Sequence, residues 1–145
     1  MGGPVIAAAA SISAALSIAA SSGGSSPASQ PVSVSASALA KCAKACKAED
    51  VACMLNYAVQ TGVCTGVVAD KCAGDCSSPS KLSSVSAVHP ADEGALGTAL
   101  AKGVVLVVLE ADSTSFERYR AGVFQGPCPG AHADHAMLLV VRNRT

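Results

Sequence analysis

Seven cysteines stand in a chain of 145 residues, and six of them crowd between Cys42 and Cys76. This constrains the fold more than any other feature, because each thiol needs a bond, a metal or an inert burial. Cys42/Cys46 and Cys72/Cys76 share a C-x3-C spacing. Zinc ribbons and knuckles use tighter C-x2-C turns in hydrophilic surroundings, whereas Ala43, Lys44 and Ala45 read as helix. Disulfides in an oxidising compartment are expected rather than a metal site, and no cofactor is implied. The odd count leaves at least one thiol free, paired between chains, or deprived of its partner.

Half the residues are hydrophobic, mainly Ala and Val, and aromatics are only 3%. The length suits one domain whose core has few large side chains, and hence marginal stability. Ten basic residues balance ten acidic ones with no basic run, so nucleic acid is not an implied partner. Residues 4–20, PVIAAAASISAALSIAA, carry no charge and fit two readings. One is the apolar region of a secretory signal, weakened because no Lys or Arg precedes Lys41. The other is a buried helix. A membrane span is not expected from a stretch this short and this rich in Ala and Ser. Residues 21–37, with Gly23-Gly24, Pro27, Pro31 and many serines, read as a loop.

Helical spacing follows. Ala38, Leu39, Cys42 and Cys46 share one face; Cys53, Met54, Tyr57 and Ala58 share another, with Asp50 as N-cap and Thr61-Gly62 as stop. Residues 61–90 read as an irregular excursion stapled by cysteines. Asp92-Glu93 opens a helix that Gly103 closes. Val104 to Glu110 reads as a buried central strand, Phe116 and Tyr119 as a helical turn, and Gly122-Val123-Phe124 as a brief strand. After the turn cluster at residues 126–130, His135 to Val141 reads as another buried strand.

From about residue 90 to 141 the chain resembles the papain-like cysteine peptidases. The resemblance rests on Val104-Val105, Phe116, Tyr119, Gly122-Val123-Phe124, Gly126-Pro127-Cys128 and Asp134-His135-Ala136, in that order and spacing. Upstream, SVSASALAKC, ending at Cys42, resembles the family's Leu-Ser-Glu-x-x-Leu-Val-Asp-Cys, and CMLNYAV resembles its Gly-x-Met-x-x-Ala-Phe helix, which puts residues 5–20 at its long central helix. The implied fold is α+β in one partial domain, incomplete at both ends. Its helical left part holds residues 1–20 and the Cys-rich 38–89; its antiparallel β right part is 90–145.

The resemblance implies peptide-bond hydrolysis by a thiolate and an imidazole. His135 matches the family's catalytic histidine, and Leu55, Val105, Asp134 and Ala136 match substrate-binding positions. His132 and His89 have no counterpart. The nucleophile should open the central helix, where the sequence reads Met1-Gly2-Gly3-Pro4-Val5; no cysteine precedes Cys42. No orienting asparagine is assigned, since Asn143 lies too near His135. A cysteine added near Pro4 or Val5 is not expected to restore activity. The resemblance also implies that Cys42 pairs with Cys72 or Cys76, and that Cys46 or Cys53, and Cys128, lack partners.

Three functions follow: part of a truncated active peptidase, a pseudo-peptidase that binds peptides or a protein partner, or a small secreted cysteine-rich domain with a signal in residues 1–22. The ligand expected is a peptide, not nucleic acid or a membrane, and the expected place is lysosomal, vacuolar or secreted.

Overall fold

The computed structural model describes residues 2–22, 31–89, 92–127 and 133–140. Cys128, His132 and Asn143 lie outside the described residues. The architecture is α+β, as expected from sequence: three helices pack together, and a further helix and a two-stranded antiparallel sheet follow.

Helix α1 spans Gly3–Ser22. Alanine has the highest helix propensity, and it is the commonest residue of this segment. Val5, Ala8, Ala9 and Ile12 recur at i, i+3, i+4 and i+7 and are all buried. They meet Leu39 of α2 (Ala36–Cys42) and Met54 and Ala58 of α3 (Val51–Gln60). Burying one side chain such as Ile12 or Met54 stabilises by roughly 1.5–3 kcal/mol. By length and composition α1 would also cross a membrane; here it lies against α2, α3 and both strands.

A row of serines ties the next segment to α1. Ser13 and Ser17 donate to the carbonyls one turn back, Ala9 and Ser13. The same hydroxyls accept the N–H of Val34 at 3.0 Å and of Val32 at 2.9 Å. Four residues of helix advance about 6 Å, and two of extended chain about 6.6 Å. The two repeats therefore run in step.

Ser35 caps α2 and Asp50 caps α3, their side chains accepting from Ala38 N and Cys53 N. Helix α2 ends at Cys42, so Ala43, Lys44, Ala45 and Cys46 are not helical as the spacing suggested. Cys42 bonds Cys72 while Cys46 bonds Cys53, two partners that pull the chain in different directions. Cys64 bonds Cys76. The pairing of Cys46 with Cys53 corrects the expectation that one of them lacks a partner. Within the excursion, Val63 and Ser80 form a bridge beside Gly62. Gly62 has φ +93°, and a Cβ there would lie 2.9 Å from the Ser80 carbonyl oxygen, so only glycine fits.

Helix α4 (Glu93–Lys102) is capped by Asp92, whose side chain accepts from Ala95 N. It leads into β1 (Val105–Leu109), which pairs with β2 (His135–Leu139). Neither strand is the buried central strand that its apolar run suggested. Among the described residues each has one neighbour, and Val108 and Met137 are exposed. Gly122-Val123-Phe124 forms no strand either: Gly122 turns the chain at φ +83°, and Val123 is exposed. Phe124 instead packs edge-on against Phe116 of α5 (Thr114–Glu117) and against Tyr119, whose hydroxyl donates to the Gly122 carbonyl.

Candidate functional site

The amino end of α1 meets the start of β2. A Cβ built on Gly3 would lie 3.6 Å from His135 Cε1 and 3.7 Å from Nδ1. His135 pairs with Leu109 at the end of the ladder. The residue before it fixes that end: Asp134 N donates to the Leu109 carbonyl at 3.0 Å, and Asp134 Oδ1 accepts from Ala111 N at 2.8 Å. The ring thus stands at a strand end that one aspartate ties twice to the chain leaving β1.

Around it lies a pocket of about 100 Å³, lined by Pro4, Glu49, Val51, Val108, Ala133, Asp134, His135 and Ala136. It is drawn from four parts of the chain: the start of α1, the loop 46–53, β1 and β2. A second hollow, between α2 and the Cys-rich segment, measures only about 10 Å³, enough for about one water.

Of the residues singled out from sequence, His135, Asp134 and Ala136 come together here. Leu55 packs against the helical core instead. Val105 is buried at the far end of the ladder, opposite Leu139. Cys42, Cys72 and Cys76 serve disulfides away from the pocket. Gly3 and Pro4 lie in the stretch Met1 to Val5 where the resemblance puts the nucleophile, whereas Glu49 was not singled out for this site. Pro4 in the first turn of a helix is a recognisable start signal, but nothing local in the sequence ties Glu49 to a histidine eighty-six positions later. Among the described residues no group of His, Cys, Asp and Glu is suited to hold a metal.

Chemically, the site offers an imidazole beside the positive end of a long helix dipole, a setting that would stabilise a thiolate. Gly3 contributes no side chain to it.

The family model described as papain family cysteine protease matches residues 6–142. The chain belongs to the papain family of cysteine proteases. Over 60 residues it is 47% identical to papain, 45% identical to caricain and 38% identical to papaya proteinase 4, all from Carica papaya. Each alignment covers 41% of this chain and 17% of the relative, so the chain matches about a sixth of those proteins' length. No solved structure matches it. Three disulfides fit an oxidising compartment.

Proposed function

We propose that this chain is a papain-family domain that holds an extended peptide in the pocket beside His135 without cleaving it. The observation that carries this reading is Gly3 opposite His135, where thiol–imidazole chemistry needs sulfur. The six described cysteines cannot supply it from elsewhere, since all are oxidised in pairs. His135 is then the family's catalytic histidine, kept as a polar contact for bound peptide, with Asp134 positioning it. Secretion, or delivery to a lysosome or vacuole, suits the disulfides.

The test is fluorescence polarisation of the purified chain with labelled extended peptides, alongside a hydrolysis assay. Binding without cleavage is expected. Hydrolysis that iodoacetamide abolishes would overturn the non-catalytic reading, and a folded chain that binds no peptide would overturn the pocket.

A second reading keeps the peptidase activity: this chain is part of a longer enzyme, and another segment brings a thiol to His135. The exposed apolar side chains of Val108, Met137 and Val140 on and beside the sheet favour it. Its test is iodoacetamide-sensitive peptide hydrolysis by the longest transcript product, absent in its His135→Ala variant.

A further inference from the structure

We infer that the pocket beside His135 selects a cationic side chain on an aliphatic stem, a lysine or arginine of the bound peptide, and that Glu49 is the residue that determines this. The inference rests on the peptide-binding reading and names its ligand class.

The pocket pairs apolar walls with one uncommitted carboxylate. Pro4, Val51, Val108, Ala133 and Ala136 form most of the lining. Apolar walls suit the methylene stem of a long cationic side chain, whose head needs a polar partner at the rim. Two carboxylates line the pocket, Asp134 and Glu49, and Asp50 adjoins Glu49 in the chain; Asp134 and Asp50 are engaged. Asp134 Oδ1 accepts from Ala111 N, and Asp50 accepts from Cys53 N at 2.9 Å as the cap of α3. The exposed Glu49 side chain makes no hydrogen bond or ion pair among the described residues, yet it lines the pocket. Among the described residues no lysine or arginine lines the pocket with it.

Glu49 is also held in place. It lies in the loop closed by Cys46–Cys53, with a sequence separation of 7. Inside that loop Asp50 N donates to the Lys47 carbonyl at 3.0 Å, and Val51 N donates to the Glu49 carbonyl at 3.2 Å. A carboxylate carried on a closed loop loses less freedom when a cation binds, so more of the attraction appears as affinity. The disulfide thereby acts on specificity through Glu49.

The experiment compares labelled extended peptides that are identical except at one position, which carries lysine, arginine, norleucine or glutamate. Norleucine keeps the stem of lysine and drops the charge. The full chain, Glu49→Gln and Glu49→Lys are measured by fluorescence polarisation at low and high salt, with far-UV circular dichroism as a folding control. Lysine and arginine peptides are expected to bind about fivefold to tenfold more tightly than norleucine. Salt should shrink that ratio, Glu49→Gln should level it, and Glu49→Lys should turn the preference toward glutamate. Equal binding of lysine and norleucine peptides, or a lysine preference that survives Glu49→Gln, overturns the inference and leaves peptide binding standing. Failure of every peptide to bind removes the underlying reading as well.

Discussion

Gly3 and His135 face each other from the two ends of the described chain. The space for one side chain lies between them, with the Cβ position 3.6 Å from the ring. The contact exists because α1 packs against β2, so the helix amino end arrives at the strand start. A helix terminus and an imidazole meet there, and the helix side offers no side chain.

A sulfur at that position should therefore be activated at once. Gly3→Cys meets only ordinary van der Waals distances, so the fold should accept it. The helix dipole and the imidazole both favour the thiolate. Alkylation of Cys at position 3 by iodoacetamide at pH 6, followed by peptide mapping, is expected to run about tenfold faster than in Gly3→Cys/His135→Ala. Equal rates in the two variants would mean that the ring does not address position 3. Peptide hydrolysis should stay near background, because among the described residues no Asn or Gln side chain lines the pocket to help hold an oxyanion.

The disulfides differ in what they close, and stability should rank them. Cys42–Cys72 spans a separation of 30 and Cys46–Cys53 a separation of 7. Loop-closure entropy then gives about 3.5 kcal/mol for the first and about 2.4 kcal/mol for the second. Urea denaturation of Cys42→Ser/Cys72→Ser should show the larger loss. The reverse order would show that the short loop is held by more than chain entropy.

Local chemistry was the legible part of this sequence. Asp50, Asp92 and Gly103 mark helix ends by their own side chains or the lack of one, and each stands where the spacing put it. The apolar face of α3 was legible for the same reason, while residues 4–20 left a secretory signal and a buried helix both open. What escaped depends on partners. Val104 to Glu110 reads as central because every residue but the last is apolar, yet burial depends on how many strands flank it. Cys46 continues the helical spacing of Cys42, but its bond to Cys53 takes it off the helix. Of the pocket, His135, Asp134 and Ala136 came through the family resemblance, all within three consecutive residues. Gly3 lies in the stretch where the resemblance put the nucleophile; Glu49 reaches the pocket only through the closed loop.

Ser11 is buried at 4% exposure, and its hydroxyl has no hydrogen-bond partner among the described residues. A buried, unpaired hydroxyl costs about 1–3 kcal/mol of desolvation. Ser11→Ala keeps the helix, raises its propensity and removes that cost. The variant should be more stable by about 1 kcal/mol, seen as a rise in Tm of about 3 °C. A fall in Tm would show that the hydroxyl is satisfied in solution.

Ser17, six positions along the same helix, should respond in the opposite direction. Its hydroxyl donates to the Ser13 carbonyl at 2.7 Å and accepts Val32 N at 2.9 Å. Replacing it by alanine improves helix propensity slightly, but it strips the half-buried Val32 N–H of its acceptor. The second effect is larger, so Ser17→Ala should lose about 1 kcal/mol. Amide exchange distinguishes this cause from a general loosening. Val32 N–H should exchange faster in Ser17→Ala while Val34 N–H, held by Ser13 at 3.0 Å, keeps most of its protection. If both amides lose protection equally, residues 31–35 dock on α1 as one unit. The hydroxyls would then act together rather than as separate ties.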